Sequence, residues 1–249
     1  MTPTPQLGSD QAFYEAKAPL YGEAYNKVVL QRVRACLPPG GRVLDIGCGS
    51  GVLLAKLAGH AGYRAGVELS ATAAAAAARV ADQVVNLPVD GDLPFAPGSF
   101  DVVVCADVLE HLPDPAAALA SVSTFCRPGG AVIISVPNIA NWEARLRLLR
   151  GVWRYEPVGI FDTGHLRFLT RATLLELVAA GGLFAESCVS ARVPHLSVQV
   201  PALMRLPKAA RFALDKTWAA AGYGLACLRP TLFAYQLVCT ARRPLVAGT

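Results

Sequence analysis

Val43-Leu44-Asp45-Ile46-Gly47-Cys48-Gly49-Ser50-Gly51 constrains this chain more than any other stretch. An apolar run closes on an acid, and glycine then takes every second position. Such a run reads as a buried strand breaking into a loop and then a helix. Glycine tolerates positive φ and lets the backbone approach a ligand closely, while the helix start behind it presents unpaired N–H groups. A plain strand-to-helix turn also uses glycine, so the loop alone leaves a tight turn and a ligand cradle equally open. A dinucleotide loop of the G-x-G-x-x-G type would need glycine at Val52. Asp45, two residues ahead of the first glycine, suits a cationic group better than a pyrophosphate.

A second acid separates the two readings. Glu68 closes the run Tyr63 to Leu69, 17 residues beyond Gly51. At the tip of a neighbouring strand its carboxylate accepts from both hydroxyls of a ribose. Together with the glycine loop it describes a nucleoside carrying a positive, non-phosphorylated substituent, the form of S-adenosylmethionine.

The rest of the chain alternates strand-like and helix-like runs, the pattern of a parallel sheet covered on both faces. Strands are predicted at 42–46, 63–69, 83–86, 100–106, 131–137, 184–193 and 232–241. Helices are predicted at 20–36, 51–59, 71–82, 114–126, 142–150, 170–181 and 201–219. The alanine-dense 71–82 reads as a helix of high propensity. With 249 residues, 53% of them hydrophobic, the chain can bury one substantial core.

The motifs "VLDIGCGSG", "GVELS", "LPFAPGSFDVVVCADVLEHLPDP" and "RPGGAVIISVPN", in this order over residues 40–190, resemble the class I SAM-dependent methyltransferases. The stretch from Pro137 to Leu174 and the later "LRPTLFAYQLV" look more narrowly like bacterial methyltransferases of polysaccharide and secondary-metabolite gene sets, with MetW-like relatives. The resemblance implies an α/β, Rossmann-like, seven-stranded, mostly parallel sheet with an antiparallel last strand and helices on both faces. It implies one domain over 1–249: an N-terminal helical lid (1–39), a cofactor-binding core (40–137), an acceptor-side lid (138–170) and a basic amphipathic insertion (194–230) before the last strand.

It also implies S-adenosyl-L-methionine as cofactor and S-adenosyl-L-homocysteine as product. By position, Asp45 would neighbour the cofactor's amino group, Gly47, Cys48 and Gly49 its methionine portion, and Glu68 with Leu69 its ribose. Ala106, Asp107 and His111 would line its far side. Where many relatives carry an acid for the adenine amino group this chain has Pro88, and Asp90 or Asp92 would have to substitute from a shifted loop. Tyr14, Tyr21 and Tyr25 precede the first strand, and ring faces there suit a sulfonium; ordinary packing would use them equally.

For chemistry, a hydroxyl becomes a good nucleophile as its proton leaves, and histidine is the usual base. His111 and His165 are the two candidates, with Asp162 and Arg167 placed to orient His165 or to pin a lid. His60 and His195 have no such company. No resident metal is expected, since Asp107, Glu110 and His111 or Asp162 would all have to face one ion. Between 138 and 170, Asn138, Trp142, Arg145, Tyr155 and His165 are candidates for the acceptor, their flat rings with Asn and Arg suiting a sugar or phosphate-bearing molecule. Leu146, Leu149 and Trp153 would equally make a packing stripe.

The expected reaction moves a methyl group to a small molecule, with a hydroxyl of a sugar, glycoside or secondary metabolite favoured. N-methylation of a small amine, or a SAM-binding regulatory partner without turnover, stays open. A nucleic-acid partner is disfavoured by 23 Lys/Arg against 18 acids and by the lack of a recognisable binding module. Residues 200–249 hold seven Lys/Arg and one acid, Asp215. That segment is expected to complete the pocket or a homodimer, with peripheral contact to an anionic membrane as the competing use. Without a signal sequence or a spanning run a cytoplasmic location is expected. Seven cysteines without a C-x-x-C pair read as reduced thiols.

Overall fold

The computed structural model describes residues 11–21, 25–191 and 205–245. Its seven strands are β1 (Arg42–Ile46), β2 (Tyr63–Val67), β3 (Gln83–Val85), β4 (Phe100–Ala106), β5 (Cys126–Pro137), β6 (Phe184–Ala191) and β7 (Gln236–Arg242). They form one sheet in the order β3-β2-β1-β4-β5-β7-β6. Pairing is parallel from β3 to β5, and β7 runs antiparallel between β5 and β6. Among the described residues the helices are α1 (Gln11–Tyr21), α2 (Lys27–Cys36), α3 (Val52–Lys56), α4 (Ala71–Ala77), α5 (Pro115–Ser123), α6 (Trp142–Leu149), α7 (Arg171–Ala180), α8 (Lys208–Leu228) and α9 (Pro230–Phe233). This is the expected Rossmann-like sheet with its reversed last strand.

Two apolar layers hold it together. Leu44, Ile46, Val103, Ile134 and Leu119 pack on one face, and Val29, Val33, Leu54, Val104 and Ile133 on the other. Strands buried on both faces read as continuous apolar runs, which is why β1, β4 and β5 were legible.

Several boundaries moved for local reasons. The expected helix 20–36 begins only at Lys27, because Asn26 is extended and its side chain accepts from Val28 N and Val29 N, capping α2. The expected strand 232–241 starts at Gln236, since Pro230 opens the short α9. The helix expected at 201–219 runs instead from Lys208 to Leu228, and residues 192–204, including His195, lie outside the described residues. No helix among the described residues is long and apolar enough to cross a membrane.

Register sets the site. Asp45 lies opposite Gly66 on β2 and Val104 on β4, so the loops following these three strands open at one edge.

Candidate active site

At that edge a cavity of about 1180 Å³ opens. Ligand sites usually span about 300–1,000 Å³, so there is room for a cofactor and a second molecule.

The glycine loop forms its floor. Gly47 N and Cys48 N donate to Val67 O at 2.8 and 3.0 Å, tying the loop to β2. Gly47 has φ +70°, and a Cβ there would meet Val108 Cγ2 at 2.5 Å. A Cβ on Gly49, φ +53°, would meet no heavy atom within 4 Å. Glu68 bridges the loop and α4: Oε2 accepts from Gly49 N and Oε1 from Ser70 N, each at 2.8 Å. A carboxylate has about four acceptor sites, so each oxygen keeps one for a ligand. Asp45 is 4% exposed. Burial, and then the nearby Glu68, push its carboxyl up to about 8.

From the other side α1 closes over the floor. Glu15 accepts from Ser70 Oγ at 2.9 Å and Thr72 N at 3.0 Å, pinning α1 to the start of α4. Tyr14 then stands edge-on to His111, ring centroids 5.9 Å apart. Burial, followed by the charges of Glu110, Asp162 and Glu68, raises its phenol well above the usual range.

Beyond the end of β4 the chain turns sharply at Asp107, φ +57°, the one non-glycine residue with positive φ among the described residues. A side-chain chain fixes it. Gln236 Nε2 donates to both Asp107 oxygens at 2.5 and 2.6 Å. Ser135 Oγ donates to Asp107 Oδ1 at 3.1 Å, and Asn26 Nδ2 donates to Gln236 Oε1 at 2.9 Å.

Both histidines meet here. His111 Nδ1 lies 2.9 Å from Gly164 O, and His165 Nδ1 lies 3.0 Å from Ile160 O. Each carbonyl can only accept, so Nδ1 carries the proton in both neutral rings and Nε2 is the basic atom. The rings stand edge to face, centroids 4.8 Å apart. Glu110 is 1% exposed, and neither carboxyl oxygen has a hydrogen-bond partner among the described residues. Its Oε1 is 4.0 Å from His165 Nε2. Burial first, then Asp107, raises its pKa well above the carboxylate range. Glu110, His111 and His165 each bring one ligating atom within 4.8 Å of the others. No resident metal is expected from Asp107, Glu110 and His111 or Asp162, but the fold brings His165 to Glu110 and His111, a group that could hold a divalent cation. Asp162 holds the turn that carries His165: its Oδ1 accepts from Gly164 N at 2.6 Å and its carbonyl accepts from His165 N at 3.0 Å, while the Arg167 guanidinium goes to the carbonyls of Pro113 and Leu166.

The cavity thus collects Tyr14, Tyr25, Asp45, Gly47, Cys48, Gly49, Glu68, Leu69, Ala106, Asp107, His111 and His165 from the sequence candidates. Asp90 is not among its lining residues; Val89 is. The side chain of Tyr21 lies outside the described residues. Four acceptor candidates stand elsewhere. Asn138 is fully buried, its amide donating to Pro230 O, Thr231 O and Ala234 O while Oδ1 accepts from Ala140 N. Trp142 packs on Trp218 of α8. Arg145 Nε donates to Ala140 O at 2.7 Å, and Tyr155 is 54% exposed against Trp153. Of the basic segment expected to complete the pocket or a homodimer, the described residues of α8 do not line the cavity. In their place stand Glu143, Arg147, Glu156 and Asp162, with Tyr235 just before β7 and Gln236 at its first position. Of these Asp162 was already a candidate beside His165, and Gln236, a lone amide in an apolar strand, carried a sequence signal, as did Asn26 of the cavity wall at a helix start.

A family model described as a methyltransferase domain matches residues 21–187. The chain belongs to this methyltransferase family. The methyltransferase is 33% identical over 169 residues, 64% of its own chain and 70% of the other, to a ubiquinone biosynthesis O-methyltransferase of Aeromonas salmonicida. It is 32% identical over 201 residues, 77% and 79% of the two chains, to the protein of that name from Burkholderia thailandensis. Among solved structures it resembles 1,6-didemethyltoxoflavin-N1-methyltransferase of B. thailandensis, bound to 1,6-didemethyltoxoflavin and S-adenosylhomocysteine, with a TM-score of 0.59 and 21% identity over 96% of this chain and 88% of that one. That likeness is one of fold.

The cofactor is S-adenosylmethionine, and the floor fits it. Asp45, its charge disfavoured by burial, gains from a cationic neighbour; Gly49 leaves open space where a side chain would stand; Glu68 keeps acceptor sites for hydroxyls. Cys48 is a buried thiol with a raised pKa, a packing group rather than a nucleophile.

Proposed function

We propose that the methyltransferase acts on a hydroxyl of a small-molecule acceptor, with His111 or His165 taking the proton. The single observation that carries this is the pair of buried imidazoles in the cavity wall, each turned by a backbone carbonyl so that Nε2 is its basic atom. An amine would need only its neutral form, whereas a hydroxyl gains from a positioned base. The O-methyltransferase names of the sequence relatives agree with it. Bound S-adenosylmethionine supplies an electrophilic methyl on a sulfonium. Asp45, Gly47, Gly49, Glu68 and Leu69 would hold it, and α1, pinned through Glu15, would exclude water from it. The acceptor class of this reading is a sugar, a glycoside or a secondary metabolite, and the cavity of about 1180 Å³ supports a second molecule beside the cofactor.

Methyl transfer from S-adenosylmethionine to paired hydroxyl and amine acceptors of the same skeleton tests the reading. Mass-resolved O-methyl products, formed with S-adenosylhomocysteine in equal amount, are expected. Turnover on the amine alone, or cofactor binding without turnover on either, would sink it.

A further inference from the structure

The acceptor-side wall has an uneven charge. Asp107, Glu143, Glu156 and Asp162 line it, with Glu110 held toward its neutral form by burial, against one guanidinium among the described residues, Arg147. That guanidinium is engaged at both ends: Nη2 lies 2.7 Å from Glu143 Oε1 and Nη1 lies 2.5 Å from Glu156 Oε1. None of the segment's other arginines lines the cavity: Arg145 turns to Ala140 O and Arg167 to the Pro113 and Leu166 carbonyls, and Arg150 and Arg154 are not among the lining residues. An entering phosphate or carboxylate would have to strip a carboxylate from Arg147 and then stand among like charges, which opposes binding. A hydrogen-bond donor meets the reverse situation. The two Glu110 oxygens are buried in the wall with no hydrogen-bond partner among the described residues, His165 Nε2 standing 4.0 Å from Oε1, and a buried polar group left without a hydrogen bond is costly.

Resting on the reading of this cavity as the acceptor site, we propose that the wall selects uncharged or cationic, hydrogen-bond-donating acceptors and rejects phosphorylated or carboxylated ones. Arg147 acts as a counterion that holds Glu143 and Glu156 in place, and Glu110 takes a donor from the acceptor. This departs from the phosphate-bearing acceptor that the arginines of 138–170 suggest in the sequence, because the one that lines the cavity, Arg147, is already held by two carboxylates.

The test uses three ring-matched probes on the protein saturated with S-adenosylhomocysteine: catechol (neutral), dopamine (cationic) and 3,4-dihydroxybenzoate (anionic), with binding read by calorimetry. Catechol and dopamine are expected to bind at least about tenfold tighter than the benzoate. In the Glu143→Gln, Glu156→Gln double variant, which leaves Arg147 without its counterions, that preference should shrink or reverse. Equal or tighter binding of the benzoate by the unaltered protein overturns the proposal. So does an unchanged ranking in a double variant whose thermal melt is native-like, or no detectable binding of any probe at millimolar concentration. Cofactor affinity and turnover, measured alongside, separate the two levels. A protein that methylates carboxylated hydroxyl acceptors keeps the function proposed above and loses this one.

Discussion

The cofactor side and the acceptor side of the cavity are built by different means. The cofactor side comes from the ends of adjacent strands: the loop after β1, Glu68 after β2 and Ala106 at the end of β4, aligned by parallel register. Its contacts are largely backbone. The acceptor side is assembled by side chains from remote parts of the chain: Asn26 to Gln236, Gln236 to Asp107 and His111 to the loop at Gly164. One side is a property of the sheet edge; the other depends on a network in which each member positions the next.

The contrast breaks most sharply at the histidines. Replacing the acting base among His111 and His165 by alanine should slow turnover about 10²–10⁴-fold and leave cofactor affinity nearly intact. Single-turnover rates alongside equilibrium binding measure both. Near-normal rates in both single variants would reduce the acceptor side to positioning alone.

On the cofactor side, Glu68→Ala should weaken binding of S-adenosylhomocysteine by one or two charge-assisted hydrogen bonds, about 1.5–3 kcal/mol each. Calorimetry that finds unchanged affinity would remove Glu68 from the ribose. Because Glu68 also accepts from Gly49 N and Ser70 N, part of any loss is a loosened loop.

Asp45 gives the cofactor side a pH signature. Its carboxyl is raised to about 8 in the fold, by burial and then by Glu68, against about 3.9 in an unfolded chain. Between those values the folded protein holds a proton that the unfolded chain has released. Stability of the cofactor-free protein from this group is therefore full below pH ~4 and declines as pH rises toward ~8. Asp45→Asn should flatten that decline in urea melts recorded across the range. In the unaltered protein, affinity for a cationic cofactor should rise with pH and level off above ~8, the proton being released on binding. A pH-independent affinity would mean Asp45 does not face the cofactor's charge.

The smallest effect sharpens the acceptor side by exclusion. Arg145→Ala and Tyr155→Ala should change KM and stability little, within about 0.5 kcal/mol, since neither side chain lines the cavity. A large rise in KM for either would place the acceptor on the outer surface of α6 and its following loop.

How much of this was legible follows from how each part is made. Asp45, Gly47, Gly49 and Glu68 announced themselves because a strand end, a positive-φ turn and the next strand tip are local events, and parallel register then joins them without further instruction. The sheet was legible too, since strands buried on both faces must be apolar throughout. Asn138 and Arg145 misled, because a polar residue near a site gives no sign of whether it faces the ligand or satisfies a buried carbonyl; here both turn to backbone oxygens. Glu143, Arg147 and Glu156 look in sequence like an ordinary exposed helix and loop. The Glu143–Arg147 pair is a local i,i+4 contact on α6, but only tertiary structure brings Glu156 to Arg147 and puts all three in the cavity wall. The same holds for the histidines, whose tautomers depend on Gly164 O and Ile160 O. Local sequence determines backbone conformation and which faces are apolar, and that was enough for the cofactor cradle. The direction of a polar side chain is decided by whichever donor or acceptor the rest of the fold brings within about 3 Å, so the acceptor wall and its charge exist only once the chain has closed.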